Sequence, residues 1–418
     1  MTPLLSHQPP QLPASPVDDG LVCADPFPKE EDKEPNAISA LTDVSASDGC
    51  KPEAHWSGAA TVSPSQACNT PMVSVIVPCR NEVNTIDSFL NSVLRQDLDG
   101  INCEVIIADG MSDDGTRKIL QRFVEDHPQI RMISNPSRIV STGLNSAISA
   151  ASGDIIIRMD VHTEYKADYI RRCVEALEKT CADNVGGACI AKGRGYVGRA
   201  IAAAFHSAFA VGGARWHQPT HRGPVDTVHL GCWRREVLQK IGFFDESLVR
   251  NQDDELNLRL VRAGGRIWQS PEIVSWYQPR SSLATLFRQY FQYGFWKVAV
   301  IQKHRLPASW RHLVPGTFVL ANLVFLGEVI LRETAHLTSF FWFTTLGAAM
   351  DLAYIFAALS FAVTVARRND WMLLPVLPLI FAIYHLAYGF GFLAGTLYFS
   401  AKPRHLAQCE TVFTKLTR

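Results

Sequence analysis

Residues 73–82 read VSVIVPCRNE, an unbroken apolar run that ends in polar side chains. Three similar runs follow, each with a helical pattern after it: CEVIIAD (103–109), RMIS (131–134) and DIIIRMD (154–160). Strands that are apolar throughout and alternate with helices are typical of a parallel sheet covered on both faces. Four such units in about 110 residues predict an α/β fold with a doubly wound, mostly parallel, Rossmann-like sheet.

The first 71 residues differ sharply in composition from the rest of the chain. They hold 11 of the 23 prolines and 10 acidic residues against 3 lysines, which gives a net charge of −7. Such a segment cannot bury enough apolar surface to offset the entropy of ordering, so we predict a disordered, acidic, proline-rich tail over 1–71. It lacks a basic region followed by an apolar one, so we predict no signal peptide.

The C-terminal part is strongly apolar. Residues 281–311 mix aromatic and cationic side chains, which favours an amphipathic helix at a membrane interface over a helix packed on the core. Blocks 313–331, 340–366 and 372–399 each reach the ~20 residues that cross ~30 Å of hydrocarbon. We therefore predict about three transmembrane helices within 312–400 and a C-terminal tail over 401–418.

Basic residues near the first apolar block indicate the orientation. Lys303, Arg305 and Arg311 precede that block, which favours a multi-pass protein of the cytoplasmic (inner) membrane with residues 72–280 facing the cytoplasm. An odd number of spans would place the basic residues of 402–418 outside, against the same tendency. The sequence leaves the side of the C-terminus open.

Composition and missing motifs exclude several classes of protein. The ten cysteines include no C-x-x-C pair, so a metal knuckle or a redox motif has no support. No G-x-G-x-x-G or GK[ST] loop is present, which argues against a classical dinucleotide or P-loop site. The net charge of +7 beyond residue 71 is modest, so we expect no nucleic-acid partner.

Polar residues follow the predicted strands, where ligands bind in open parallel sheets. Asn81, Glu82 and Asp109 suit a base or ribose hydroxyls, although the acidic residues near 113 can instead cap the following helix. Asp160 and His162 follow the fourth strand and can place a divalent cation against a diphosphate. The alternative is a loop aspartate beside a surface histidine.

The last polar cluster, NQDDE (251–255), precedes a predicted helix. Acidic residues are common at helix N-termini because the helix dipole stabilises them. Three adjacent carboxylates also repel each other, which raises pKa values and prepares one of them as a general base near neutral pH.

Taken in order, these motifs resemble the inverting family 2 glycosyltransferases, which have the GT-A fold. The resemblance covers about residues 72–298 and is greatest to succinoglycan-type exopolysaccharide glycosyltransferases, which share NQDDELNLRL and the run QYGFWK (292–297). It implies that 72–280 is the catalytic domain and that Asp253 is the catalytic base. The other implied roles are donor binding by Pro78, Asn81, Glu82 and Asp109, metal binding by Asp160 and His162, and acceptor binding by Gly231, Cys232, Trp233, Arg234, Asp254 and Trp296.

The resemblance also implies the reaction. A sugar would move with inversion from a nucleotide-sugar donor, such as UDP-glucose, to a polyprenyl-diphosphate-linked saccharide in exopolysaccharide or cell-surface polysaccharide biosynthesis. Membrane lipid and polysaccharide assembly or export proteins are the expected partners, and Mg²⁺ or Mn²⁺ the expected cofactor.

Two departures from the family pattern qualify this expectation. His162 replaces an aspartate, which suits Mn²⁺ better than Mg²⁺. Where processive synthases have Q-x-x-R-W, this chain has no arginine between Gln292 and Trp296, which favours the addition of one sugar. The alternatives are a processive synthase, a polyprenyl-phosphate sugar transferase, and a catalytically silent membrane scaffold.

Overall fold

The computed structural model describes residues 71–307, 309–335 and 341–401. All of them belong to one unit of the chain, residues 54–418. The tail predicted over 1–71 lies outside the described residues except for Pro71, and the tail predicted over 401–418 lies outside them except for Ala401.

Residues 72–180 consist of four consecutive strand–helix units. Strand β1 pairs in parallel with β2 and β4, and β2 pairs in parallel with β3. This arrangement confirms the predicted doubly wound core. The elements are β1 (Met72–Cys79), α1 (Ile86–Leu94), β2 (Asn102–Asp109), α2 (Thr116–Asp126), β3 (Ile130–Ser134), α3 (Val140–Ala150), β4 (Ile155–Arg158), β5 (Thr163–Tyr165) and α4 (Tyr169–Thr180).

The next part of the chain makes the sheet mixed. Its elements are β6 (Asn184–Gly187), β7 (Cys189–Ala191), α5 (Gly195–Phe205), α6 (Ala208–Val211), β8 (Gly223–Pro224), β9 (His229–Arg234), α7 (Arg235–Ile241), α8 (Gln252–Arg262), β10 (Ile267–Gln269) and β11 (Ser275–Tyr277). The main sheet has the order β3-β2-β1-β4-β9-β6-β10-β8, and β5, β11 and β7 form a small second sheet. Strand β9 lies antiparallel between β4 and β6.

Apolar side chains on both faces of β1 explain why its sequence is apolar throughout. Successive residues of a strand point to opposite faces of the sheet. Val75 and Val77 therefore join the cluster that includes Leu90 of α1, whereas Ile76 joins the cluster that includes Leu144 of α3. All five side chains are fully buried.

The C-terminal part consists of four long helices: α9 (Leu283–His304), α10 (Val314–Ala335), α11 (Phe341–Arg368) and α12 (Leu377–Ala401). Segments 310–334, 344–368 and 377–401 are long and apolar enough to cross a membrane, in agreement with the three predicted blocks. In the last segment 39% of the residues in its apolar window are buried inside the protein, against 11% in the first segment and 17% in the second. Helix α12 is therefore the inner helix of the three.

Helices α9 and α12 approach each other at glycines. A Cβ placed at Gly294 would clash with the carbonyl oxygen of Tyr388, and one placed at Gly391 would clash with the carbonyl oxygen of Phe291. Small residues allow such close approach of two backbones. Residues 294–300 of α9 are consequently buried inside the protein. A membrane-surface position therefore stays a prediction only for the first half of α9, where Phe287 is 41% exposed.

Candidate active site

A cleft of about 720 Å³ opens at the carboxyl ends of the parallel strands. It extends from the loop after β1 to the candidate membrane helices α10 and α12. Most of the residues predicted from the sequence to bind donor or metal, or to act as the base, line it together: Pro78, Asn81, Glu82, Asp160, His162 and Asp253.

The end of the cleft beside β1 and β2, where the sequence predicts donor binding, is formed by two loops that hydrogen-bond to each other. Asn81 adopts a left-handed backbone conformation with φ 55°, which asparagine tolerates better than most residues. Its backbone N–H donates to the Ser112 hydroxyl at 2.9 Å, and its side-chain oxygen accepts the N–H of Asp113 at 3.1 Å. The N–H of Glu82 donates to the Thr116 hydroxyl at 2.8 Å.

Asp109 supports this end from inside the protein. It is fully buried, pairs with Arg117 at 3.2 Å and accepts the backbone N–H of Ser112 at 3.2 Å. Cys79 of β1 pairs with it across the sheet, and Ala108 and Gly110 on either side of it line the cleft. Direct contact between Asp109 and the donor stays a prediction.

Asp160 is held by an arginine that the motif analysis did not select. Arg158 donates through Nε and Nη2 to the two carboxylate oxygens at 2.9 and 3.0 Å. Burial acts to raise the pKa of Asp160, but the charge and hydrogen bonds of Arg158, together with the neighbouring His162 and His229, make the net shift of that pKa downward. Arg158 is 6% exposed, and its Nη1 has no partner among the described residues. A charged residue inside the apolar run IIIRMD was the signal that could have identified it.

The cleft can hold a metal only with help from the substrate. His162 lies close enough to Asp160 to lower the pKa of that carboxyl further. Over the described ranges, no group of three His, Cys, Asp or Glu side chains surrounds a single metal position. Divalent cations in nucleotide sites commonly take one or two protein ligands and complete their shell with phosphate and water. Asp160 and His162 fit that role.

His229 is a second residue of the cleft that sequence reasoning missed. It begins β9, lines the cleft, and has a buried Nε2 without a partner within the described part of the chain. Burial lowers the pKa of His229 to about 4, even though the charge of Asp160 acts in the opposite direction. The imidazole is therefore neutral at physiological pH and can accept or donate a hydrogen bond at the cleft surface.

The two aspartates at the start of α8 differ in their surroundings. Burial, followed by the charge of Asp254, raises the pKa of Asp253. Burial acts in the same direction on Asp254, but Lys297 of α9 lies 2.6 Å away and makes the net shift of its pKa downward. The Lys297 side chain is only 5% exposed. Lys297 was not predicted from the sequence, although it ends the QYGFWK run.

Glu255, the third carboxylate of the cluster, has a structural role. It is fully buried and pairs with Arg259 at 2.8 Å, Lys303 at 2.8 Å and His304 at 3.0 Å. These contacts attach α8 to the end of α9. Asp253 is the member of the cluster that carries no salt bridge within the described part of the chain, so its carboxylate is available to a ligand in the cleft.

Residues 231–234, predicted to line the acceptor site, do not reach the cleft in this structure. Strand β9 runs antiparallel to β4 and pairs Cys232 with Ile157 and Arg234 with Ile155, so it leads away from the Asp160 end of β4. Cys232 and Trp233 are buried in the core at 0% and 1% exposure. Among the residues of β9, the cleft is lined by His229 and Leu230, whereas Gly231, Cys232, Trp233 and Arg234 do not line it.

Trp296 also belongs to the core rather than to the cleft. It is fully buried, and its ring centroid lies 6.0 Å from that of Phe399 on α12. It packs there with Leu248 and Phe295, so the structure gives no support to its predicted contact with an acceptor. The acceptor prediction survives for Asp254, which lines the cleft.

Comparisons with known proteins identify the family of the chain. The model of glycosyl transferase family 2 matches residues 74–242. Succinoglycan biosynthesis protein ExoA of Rhizobium meliloti is 36% identical over 243 residues, which are 58% of this chain and 73% of ExoA. A dolichyl N-acetyl-alpha-D-glucosaminyl phosphate 3-beta-D-2,3-diacetamido-2,3-dideoxy-beta-D-glucuronosyltransferase of Methanococcus voltae is 25% identical over 78% of this chain and 97% of its own length.

A solved structure is also similar, a mannosyltransferase from Pyrobaculum calidifontis in complex with GDP-Man and Mn²⁺. It is 21% identical, with a TM-score of 0.49, and the match covers 78% of this chain and 88% of that one. The likeness to ExoA, which spans most of that protein, is the one that establishes the family. Together with the family match, it shows that the chain belongs to glycosyl transferase family 2 and is a glycosyltransferase.

Proposed function

We propose that the protein transfers a hexose, with inversion, from a UDP-hexose such as UDP-glucose to a saccharide linked to polyprenyl diphosphate, as a step in exopolysaccharide or cell-surface polysaccharide biosynthesis. One observation carries the proposal. The same cleft is lined by the carboxylates Asp160 and Asp253 and by Tyr384 and Tyr388 of a candidate membrane helix. Such a cleft suits a water-soluble donor and an acceptor anchored in lipid.

Asp253 acts as the general base. Its ionised carboxylate takes the proton from an acceptor hydroxyl, whose oxygen forms a bond to the anomeric carbon of the donor. The bond from that carbon to the diphosphate breaks on the opposite side, so the configuration inverts. Lys297 keeps Asp254 ionised at a distance of 2.6 Å, and Arg158 holds the carboxylate of Asp160 toward the cleft.

The donor occupies the end of the cleft near β1 and β4. Pro78, Asn81 and Glu82 bind the nucleotide, with Asp109 behind them. Asp160 and His162 would hold Mg²⁺ or Mn²⁺, which would offset the negative charge of the donor diphosphate. The neutral imidazole of His229 and the backbone near Leu230 border the space between donor and acceptor, taking the place of the four β9 residues first expected there.

The nature of the acceptor is supported by relatives as well as by the cleft. ExoA is named for succinoglycan biosynthesis, and the Methanococcus voltae enzyme is named for a dolichyl-phosphate-linked sugar. A lipid-linked acceptor and the three long apolar helices together favour a multi-pass protein of the cytoplasmic membrane. Because Lys303, Arg305 and Arg311 precede the first of these helices, the catalytic domain is proposed to lie on the cytoplasmic side. Polysaccharide assembly or export proteins are proposed partners.

Transfer of labelled sugar to lipid tests the proposal. Membranes containing the protein are incubated with a panel of radiolabelled nucleotide sugars, the lipid fraction is extracted, and the products are sized. Membranes with Asp253→Asn are the matched control. We expect one labelled sugar added to a lipid-linked saccharide. A long labelled polymer would instead identify a processive synthase, and labelling of bare polyprenyl phosphate would identify a polyprenyl-phosphate sugar transferase.

A further inference from the structure

The end of the cleft nearest the candidate membrane helices has its own set of polar side chains. Arg311 and His312 come from the turn that precedes α10, and Tyr388 comes from α12. Lys297 lines the cleft as well. Its amine contacts the carboxylate of Asp254, the neighbour of the proposed base, at 2.6 Å.

Several hydrogen-bonding groups at this end are unused. The Nδ1 atom of His312 and the hydroxyl of Tyr388 are buried without a partner in the described ranges. Arg311 contacts Asp226 through Nη2 at 2.5 Å, which leaves other N–H groups of its planar fork for a ligand. Buried polar groups are rarely left unpaired in native proteins, so their convergence on one cleft indicates a polar ligand.

The neighbouring surface is apolar, which suits a ligand attached to a lipid. Leu286, Val314 and Pro315 line the same end of the cleft. Trp310, just before Arg311, is 77% exposed at the start of the segment 310–334 that is apolar enough to cross a membrane. Tryptophan is typical of the headgroup level of a bilayer, so the unused groups lie where the phosphate of a membrane-embedded lipid is found.

Building on the proposed function, we propose that Arg311, His312 and Tyr388 bind the diphosphate that links the acceptor saccharide to its lipid. The arginine fork matches two phosphate oxygens, and the imidazole and the phenol provide further hydrogen bonds. The saccharide then extends past Lys297 and Asp254, and its hydroxyl reaches Asp253. The donor diphosphate binds at the other end, beside Asp160.

Steady-state kinetics of the detergent-solubilised full-length protein test this assignment. For Arg311→Ala we expect the KM for a polyprenyl-diphosphate-linked saccharide to rise about tenfold or more, because a hydrogen bond to a charged group is lost. The KM for the nucleotide sugar should change less than twofold, which also shows that the variant is folded. Arg332→Ala, at the far end of α10, is the matched control and should leave both values unchanged.

Asp226→Asn separates ligand binding from a structural ion pair. It removes the partner of Arg311 but keeps the arginine, so the KM for the lipid-linked acceptor should stay near that of the wild type or fall. A rise equal to that of Arg311→Ala would overturn the assignment, because the salt bridge alone would then explain the effect. With a saccharide on a short alkyl chain without phosphate as acceptor, Arg311→Ala and wild type should have the same KM.

Two further measurements identify the source of the phosphate. Inorganic pyrophosphate should inhibit the wild type competitively with the lipid-linked acceptor, and Arg311→Ala should resist it. A rise in the KM of Arg311→Ala for the nucleotide sugar would place the donor diphosphate at this end of the cleft. A loss of binding of Arg311→Ala to phosphatidylglycerol vesicles as large as its loss of affinity for the acceptor would indicate a general contact with lipid headgroups. Either result would overturn the assignment. If the wild type transfers sugar to no lipid-linked saccharide, the proposed function itself fails.

Discussion

The two ends of the cleft are built in different ways. At the donor end, Asn81 and Glu82 are held by backbone N–H groups and short side chains of the neighbouring loop, such as Ser112. At the acceptor end, the key contacts are ion pairs between distant parts of the chain, Lys297 with Asp254 and Arg311 with Asp226. The donor end is thus fixed by the sheet, whereas the acceptor end depends on how the C-terminal helices pack.

The largest effect is expected where the two ends meet, at the base. Asp253→Asn should lower kcat by roughly 10²–10⁴-fold, the range that a general base supplies, with little change in nucleotide-sugar affinity. Turnover and donor binding measured on the same preparation test this. The matched control is Asp254→Asn combined with Lys297→Met, which removes the neighbouring pair without leaving a buried charge. If the Asp254→Asn/Lys297→Met variant were inactive and Asp253→Asn were active, the base would be Asp254.

The next largest effect is expected from removing the carboxylate of Asp160, the proposed metal ligand at the donor end of the cleft. Asp160→Ala should reduce turnover by about 10²-fold or more, because charge compensation of the diphosphate is worth several kcal/mol. His162→Ala should cost less, since a neutral imidazole brings no charge. Titration of Mn²⁺ and Mg²⁺ into EDTA-treated protein measures both.

Folding must be separated from metal binding in that experiment, because Asp160→Ala leaves the buried Arg158 without its partner. The double variant Arg158→Met with Asp160→Ala removes both charges and serves as the folding control. Full activity of the wild type in excess EDTA would contradict the assignment of Asp160 and His162.

A smaller, pH-dependent effect should identify the influence of α9 on the base. Asp253 works in its ionised form, so activity falls as the pH drops through its raised pKa. Lys297→Met removes a positive charge and raises the pKa values of the aspartate pair, so the acid limb of kcat/KM should move to higher pH. The double variant Lys297→Met/Asp254→Asn also lacks the negative charge next to Asp253. Its acid limb should therefore return to the pH of the wild type or to a lower pH. An unchanged limb in Lys297→Met would show that Lys297 has only a packing role.

The contrast between the two ends also explains what could be predicted from the sequence. The carboxyl ends of parallel strands meet at one edge, so apolar runs were enough to bring Asn81, Asp109 and Asp160 together. The direction of β9 depends on its pairing with β4 and β6, which no local pattern reveals, so the burial of Cys232 and Trp233 in the core could not be predicted. His229 and Lys297 were missed because their role arises from contacts across the fold, whereas the charge of Arg158 inside an apolar run could have identified it.

The smallest effect concerns neither end of the cleft. A chain lacking residues 1–65 should keep its melting temperature, its membrane association and its turnover, because that segment has no core-forming pattern. Thermal unfolding of the truncated and full-length proteins in the same detergent tests this, and a large fall in melting temperature would show that the segment folds against the rest.

The glycine contact between α9 and α12 makes the catalytic centre sensitive to its surroundings. Side chains that separate two helices can change rotamer and absorb a small shift, but two backbones in direct contact at Gly294 and Gly391 cannot. A tilt of α12 is therefore transmitted to α9, and through Lys297 to the carboxylates of α8. In the proposed membrane-bound enzyme, the thickness and order of the surrounding lipid would therefore act on α9, the helix that carries Lys297.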